Sequence, residues 1–472
     1  MKAFETYAEA LLARHQVPGT AVAAARDGTA VYARGFGAAD ADRGIPAGAD
    51  TVFGVASVTK SFTAAAIMRL ADEGRLSVDD PVVEYLPELR VPHGDASAIR
   101  VHHFLTHTAG FPPLPSRWYA FGASARADAA GAPPPVRVED RRPFDTAEDL
   151  MAYLAETDWA PLGPPGAHFS YCNEGYALLG AIIARVSGRP YTRYVTDTVL
   201  EPGGLRRTSF GPAPDLPARP ARERAGVAAP YIAETRDGRR AVSPARTWWY
   251  SEVWHPAGGV CSTAADLVRY LDLYRTGGTI GAERILSPAA VAAMTRPHVM
   301  TAPGQGYGYG LAVLPDYRGT PLVEHGGGRR SISAHVAVVP ARGFAVAALA
   351  NLADAPIRAV AHGALNALEG AAPDLPAVAY PPYTAAPERL PVYAGEYRSG
   401  EGTVLLVGTA DGALVIEADG ERLTARPAGP DAFVVAPRGT EQYVRFLVDP
   451  GGRARAVVYG LRIIARSAPL VT

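Results

Sequence analysis

Apolar positions in the opening stretch MKAFETYAEALLARHQ recur at helical spacing, which predicts an amphipathic N-terminal helix. GTAVAAARDGTAVYARGFG follows as two β-like runs joined at Asp27-Gly28, a hairpin signal. TVFGVA then leads into SVTKSFTAAAIMRLADEG, apolar or small nearly all round and stopped at Gly74. That pattern is a buried helix with a glycine stop, and it puts Ser57 in the first turn. Helices are also predicted over Thr146 to Thr157, with a Thr146…Asp149 cap, over 173 to 188, and in STAADLVRYLDLYRTGG. Two strand-like runs, SISAHVAVVP and GFAVAALAN, precede a last helix near 355 to 369. Helix and hairpin first, helices in the middle, strands and a helix last predict an α/β fold: an antiparallel sheet, assembled from both chain ends, flanked by helices around a helical subdomain.

Two stretches interrupt this pattern. Residues 113 to 144 lack periodicity and are rich in Ala, Pro and Arg, so they read as a long surface excursion. Region 206 to 253 is also irregular and ends on Trp248, Trp249 and Tyr250. Beyond residue 370 proline becomes dense, as in a semi-rigid linker. The pattern then shortens to alternating runs such as TVLLVG, ALVIEA, AFVVAP and ARAVVYG, separated by turns such as Asp411-Gly412 and Asp419-Gly420. About eight strands predict a small antiparallel β-barrel. The expected organisation is a first domain over 1–370, a Pro-rich linker over 371–389 and the barrel over 390–472.

Composition narrows the function. The chain has 472 residues, formal charge -1, 48% hydrophobic and 20% charged residues. It lacks the basic stripe that nucleic acid would need and any apolar run of bilayer length, so neither nucleic-acid binding nor membrane insertion is expected. The N-terminal helix has no apolar core or cleavage site of an export signal, which makes a cytoplasmic location the expectation, or an exported one if a leader precedes it. Cys172 and Cys261, the two cysteines, are too few for a disulfide scaffold or a cysteine zinc site.

One basic residue stands apart. Of 46 Lys and Arg positions, only Lys2 and Lys60 are lysine. On a helix Lys60 lies three residues from Ser57 on the same face, within reach of its hydroxyl. Arginine could also reach, but it stays protonated, whereas a desolvated lysine can release its proton and act as a base. S-x-x-K is a short motif, and a capping serine followed by a solvated lysine is the commoner use of it; a solvated lysine, however, would be arginine in this chain. Two further pieces are Tyr171-Cys172-Asn173, where a loop becomes a helix, and His325-Gly326-Gly327-Gly328 opening a β-run. By themselves these read as a helix cap and a turn.

Taken in order, Ser57-x-x-Lys60, Tyr171-x-Asn173 and His325-x-Gly327 resemble the motifs of the penicillin-recognising serine hydrolases. The likeness is greatest to the class C β-lactamase and D-alanyl-D-alanine carboxypeptidase B branch, runs through about residues 5 to 370, and includes LTHTAGF (105 to 111) and PAGGVCSTAADLVRYL (256 to 271). The barrel, opening on YAGEY, is similar to the lipocalin-like C-terminal domain of some D-aminopeptidase relatives. The resemblance implies Ser57 as a nucleophile forming an acyl-enzyme and Lys60 and Tyr171 sharing proton traffic, with His325, if protonated, or Lys60 as the cation favouring a Tyr171 phenolate. It further implies that Asn173 and the glycines Gly327 and Gly328 bind substrate, with the N–H groups of Ser57 and Gly328 as oxyanion hole. His325 stands where β-lactamases of this type carry lysine, which points to a peptidase, amidase or esterase rather than an efficient β-lactamase. Acyl transfer to an amine, as in transpeptidation or peptide cyclisation, weak β-lactamase activity, and a penicillin-binding sensor without turnover are the alternatives. No cofactor or metal is implied, and the partner is a small-molecule or peptide substrate. His103 and His107 have i, i+4 spacing without H-E-x-x-H and read as structural, Cys172 as a packing residue, GQGYGYG as a strand near the site. For the barrel, shielding the site, selecting substrate length and mediating homo-oligomer assembly all stay open, and its arginines Arg453, Arg455, Arg462 and Arg466 read as a solvated face.

Overall fold

The computed structural model describes residues 1–121, 144–211, 226–236, 239–245 and 251–468. The tip of the 113 to 144 excursion and the Trp248-Trp249-Tyr250 cluster lie outside these residues.

Helix α1 (Lys2–Arg14) leads into strands β1 (Gly19–Arg26), β2 (Thr29–Asp40) and β3 (Ile45–Pro46). Asp27 and Gly28 close the β1–β2 hairpin at φ 50° and 78°, the doubly left-handed turn for which Asp-Gly is suited. The chain then enters the helical insertion, which carries α2 (Thr59–Asp72) and α3 (Asn173–Ser187). It returns as β4 (Val299–Ala302), β5 (Gln305–Tyr307), β6 (Ala312–Tyr317), β7 (Thr320–Arg329), β8 (Ile332–Val339) and β9 (Phe344–Ala350), followed by α4 (Ile357–Leu368). The sheet order is β4-β5-β6-β7-β8-β9-β1-β2-β3. Its seam between the two chain ends is the antiparallel β1–β9 pair, in register from Thr20↔Ala350 to Arg26↔Phe344.

Both faces of the sheet are covered, so β9 is apolar without interruption and β1 nearly so. Along β1, Ala21, Ala23 and Ala25 face the insertion and share a core with Phe62 and Ile67 of α2. Val22 and Ala24 face the other way, against Phe4 and Leu12 of α1 and Val360 and Leu365 of α4. Each large side chain buried here contributes roughly 1.5–3 kcal/mol. α2 is buried from Thr59 to Met68, as its nearly uniform small and apolar sequence requires.

Two local features depart from expectation. Region 206 to 253 contains a β-hairpin, Tyr231–Arg236 with Arg239–Pro244. Its runs, YIAETR and RRAVSP, have no continuous apolar face, so alternation did not reveal it, although Asp237-Gly238 between them is a hairpin signal. The STAADLVRYLDLYRTGG helix is capped by Thr263, which accepts from the Asp266 N–H at 3.1 Å, but it breaks into Ala264–Tyr270 and Asp272–Arg275.

Beyond α4 and the proline-rich stretch, eight strands form a closed antiparallel barrel: β10 (Gly395–Arg398), β11 (Val404–Ala410), β12 (Ala413–Ala418), β13 (Glu421–Gly429), β14 (Ala432–Val435), β15 (Gln442–Val448), β16 (Ala454–Tyr459) and β17 (Arg462–Ala468). β10 pairs with β17 to close it, which leaves no strand edge open. Leu405, Val407, Leu414, Ile416 and Leu423 alternate into a filled interior around Tyr397 and Phe446. No helix among the described residues is long and apolar enough to cross a membrane.

Candidate active site

Ser57 sits in a 3-10 turn, Ala56–Val58, that runs straight into α2. Ala56, just before it, has φ 44°, a left-handed conformation unfavourable for a residue with a Cβ. Such strain costs about 1–3 kcal/mol and collects at functional sites. Lys60, in the first turn of α2, is fully buried. Its Nζ lies 3.2 Å from Ser57 Oγ, 2.8 Å from Asn173 Oδ1 and 2.8 Å from the Ala257 carbonyl oxygen. Two of these neighbours can only accept, and the third carries a proton of its own. A neutral amine can satisfy them: two N–H groups donate to Asn173 and Ala257, and at Ser57 Nζ can donate to Oγ or, through its lone pair, accept the hydroxyl proton. Burial first, and the Arg462 charge second, hold Lys60 well below the ordinary lysine range, which favours the neutral amine.

Tyr171 and Asn173 flank the start of α3. Cys172, not Asn173, is its cap: Sγ accepts from the Gly175 N–H at 3.4 Å and donates to Glu174 Oε2 at 3.1 Å. This frees the Asn173 side chain to receive Lys60. The Tyr171 ring stacks on His107 at 4.1 Å, with Lys60 Nζ 4.8 Å and the Arg462 guanidinium 5.1 Å from its centre. Burial raises the Tyr171 phenol above its usual value, opposed by a hydrogen bond with Ser57 and by Arg462.

His325 to Arg329 form the end of β7, where pairing with β6 has stopped at Ala312↔Glu324 while pairing with β8 continues. A Cβ on Gly327 would stand 2.1 Å from the Val55 oxygen and 3.2 Å from Ser57 N, so only glycine lets β7 approach the serine turn this closely. A Cβ on Gly328 would meet nothing within 4 Å; it borders the cleft.

His325 is not the cation that the sequence suggested. Burial, the largest cause, pushes its pKa down to about 3, so it is neutral at working pH. Its hydrogen bonds fix the tautomer. Nδ1 lies 2.6 Å from the Gly326 carbonyl and must donate, leaving Nε2 to accept from Tyr307 O–H at 2.9 Å. At the other end, His107 Nδ1 accepts from the Cys172 N–H at 3.0 Å, so its Nε2 carries the proton and donates to Tyr307 at 3.2 Å. The result is a directed chain from Cys172 through His107, Tyr307 and His325 to Gly326. Selective 15N labelling of histidine is expected to show His325 as the unprotonated Nδ1–H tautomer from pH 5 to 9; a titration near pH 6.5 would contradict the burial argument.

Behind this strand, on the opposite face of β7, Glu324 is buried with His335 and His362, their ligand atoms within 4.8 Å of one another. Burial would raise the Glu324 pKa, but Arg358, His362 and His335 outweigh it and hold it well below the carboxylate range. Glu324 Oε2 lies 3.0 Å from His335 Nε2 and 2.5 Å from His362 Nε2, and Oε1 lies 2.7 Å from Arg358. Carboxylate, imidazoles and the Arg358 guanidinium are thus committed to one another in a buried strut supporting β7.

A cleft of about 530 Å³ opens onto Ser57, Tyr171, Asn173, His325 and Gly328, with Lys60 beneath. Trp118, Phe121 and Trp254 supply an aromatic wall, and Arg117, Arg329, Arg330 and Arg462 supply positive charge. The fold therefore brings all the motif residues together. Sequence reasoning missed three contributors: His107, read as merely structural; Tyr307, recognised only as part of a nearby strand; and Arg462, assigned to a solvated barrel face. A buried His and a barrel Arg carry no local signal of such a role, because it depends on what packs against them.

Comparison with known proteins agrees with this architecture. The family model described as Beta-lactamase matches residues 4–370. Esterase EstB of Burkholderia gladioli is 32% identical over 335 residues, covering 67% of this chain and 80% of EstB. The octameric penicillin-binding protein homologue from Pyrococcus abyssi superposes with TM-score 0.68 at 27% identity, covering 98% of this chain and 99% of that one. A D-stereospecific amidohydrolase from Streptomyces sp. gives TM-score 0.61 at 28% identity, with 78% of this chain and 97% of that one covered. On these matches and on its sheet, helical insertion and motif order, the chain belongs to the β-lactamase family, as a serine hydrolase of that fold with a closed eight-stranded barrel at its C-terminal end.

Proposed function

We propose that this enzyme cleaves amide or ester bonds through an acyl-serine intermediate, acting as a peptidase, amidase or esterase. The observation that carries the reading is the set of partners around Lys60: two pure acceptors and the Ser57 hydroxyl, around an amine whose burial favours the neutral form. Ser57 Oγ attacks the substrate carbonyl, its proton passing to Lys60 Nζ. The new oxyanion is received by the N–H groups of Ser57 and Gly328. Tyr171, its phenol protonated, relays a proton to the leaving group, and Asn173 holds the substrate amide. Neutral His325, with both ring nitrogens committed to Gly326 and Tyr307, brings no positive charge to the cleft, which suits amides and esters better than capture of a β-lactam carboxylate. Water then attacks the acyl-serine and regenerates Ser57.

The names of the relatives, an esterase and a D-stereospecific amidohydrolase, support this range of bonds, and the octameric homologue supports assembly of several copies. Residues 1–370 form the hydrolase domain in this proposal, 371–389 the linker and 390–472 the barrel domain. Acyl transfer to an amine uses the same intermediate and differs only in the acceptor.

A reaction with p-nitrophenyl acetate, quenched in acid and digested, is expected to show an acetyl mass increment on the peptide containing Ser57. Steady turnover with no adduct there would overturn the reading. A panel of D- and L-aminoacyl amides, p-nitrophenyl esters and nitrocefin, with and without an added amine, is expected to give the highest kcat/KM on an amide or ester and a much lower one on nitrocefin. Nitrocefin as the best substrate would reverse the assignment.

A further inference from the structure

The turn joining β16 to β17 is unusual in itself. Tyr459 pairs with Arg462 across a two-residue loop in which Gly460 has φ 55° and Leu461 φ 67°. Both central residues of such a turn must be left-handed, and leucine is poorly suited to that. What the turn touches accounts for it. The Leu461 carbonyl accepts from the Tyr171 N–H at 2.9 Å, and the Ile463 N–H donates to Ser170 Oγ at 3.3 Å. Between them the Arg462 guanidinium projects over the Tyr171 ring.

A second barrel segment holds that guanidinium. Glu401, buried in the loop between β10 and β11, forms an ion pair with Arg462. The Glu401 carbonyl in turn accepts from Arg117 at 2.9 Å and from the Trp118 indole at 3.1 Å, both in the first domain. Gly400 lies so close to that domain that a Cβ would stand 2.6 Å from the Pro113 oxygen. Two loops of the barrel therefore grip the segments on either side of the cleft.

We infer that Arg462, clamped by Glu401, is a positioning residue for the reaction: it fixes the ring of Tyr171 and keeps a permanent positive charge beside the Ser57, Lys60 and Tyr171 cluster. The barrel then completes the reaction centre rather than merely covering it. This rests on the acyl-serine reading above. The groups facing Lys60 are Ser57 on its own helical turn, Tyr171, Cys172, Asn173, Glu174 and Tyr176 at the start of α3, His107, Tyr307 and His325 across the cleft, and Arg462 with Glu401 from the barrel. Of these Arg462 is the permanent cation. It opposes a proton on Lys60, which favours activation of Ser57, and it favours negative charge on Tyr171, which helps the phenol give its proton to the leaving group.

The test compares pH profiles of kcat/KM for p-nitrophenyl acetate in the full-length enzyme and in R462Q, R462K and E401Q. Without the guanidinium Lys60 holds its proton to higher pH, so the acidic limb of R462Q is expected to move up by about one pH unit, with a loss of up to about tenfold at pH values on that limb. R462K, which keeps the charge, should restore the limb and part of the rate. E401Q, which loosens the clamp and removes a carboxylate that favours a proton on Lys60, should lower kcat and move the limb, if at all, to lower pH, opposite to R462Q. An R462Q limb superposable on the native one, or one that R462K leaves displaced, would overturn the inference. Fluorophosphonate labelling separates the two levels of the argument. If native Ser57 is labelled but the limb does not move, only the role of Arg462 fails; if Ser57 is never labelled, the acyl-serine reading fails and this inference with it.

Discussion

Replacing Ser57 with alanine is expected to remove turnover of amides and esters, with a loss in kcat of about 10⁴-fold or more, and to remove all covalent labelling by fluorophosphonate. The size follows from the chemistry. The alanine variant keeps the cleft, the Gly328 N–H and the neutral His325, so it retains binding, but no other described hydroxyl lies against Lys60 Nζ to take over the attack. The fold should survive, because the Ser57 hydroxyl makes only the hydrogen bonds to Lys60 and Tyr171, and the loss of each costs about 1 kcal/mol. A folded S57A enzyme that still turned over substrate would show that the acyl group is carried elsewhere.

The second large effect is expected at Lys60. K60R should lose about 10³-fold or more in kcat, although it conserves the charge type. Arginine has no lone pair to offer the Ser57 proton and stays charged, while the site around Lys60 supplies two neutral acceptors and no adjacent carboxylate contact. K60M serves as the folding control, being close in size and uncharged. The same residue predicts a stability signature. In the unfolded chain Lys60 keeps its proton up to about pH 10.4, but in the fold it loses it at lower pH. Between those two values the unfolded state binds the extra proton, so native stability rises with pH, by at most about 1.4 kcal/mol per unit. Urea unfolding from pH 6 to 10 should show this rise, and the difference between native enzyme and K60M should isolate it from the buried tyrosines and thiols. A native K60R enzyme with undiminished turnover would refute the role of a neutral amine.

Much of the architecture was readable from local pattern. The Asp27-Gly28 hairpin, the uniformly small and apolar α2, the Thr146 cap and the eight short barrel runs each carry their structure in a few neighbouring residues, because turn chemistry and the periods of 2 and 3.6 are local properties. The hairpin at 231 to 244 escaped because its runs lack an apolar face. Within the site, Ser57 and Lys60 were legible together since a helical turn links them, and Lys60 stood out in a chain that otherwise uses arginine. Asn173 was recognised as part of a motif, but not that Cys172 would do the capping and release it.

What the sequence by itself determined is therefore the family of chemistry: an S-x-x-K turn, Tyr171-x-Asn173 and His325 with its glycines, on an α/β frame followed by a barrel. Only the tertiary structure decided the protonation states and the membership of the site. Burial makes His325 neutral, orders His107 and Tyr307 into one hydrogen-bonded chain with it, and delivers Arg462 to Tyr171 from nearly three hundred residues away. Charge and desolvation depend on distance in space, which no stretch of neighbouring letters records.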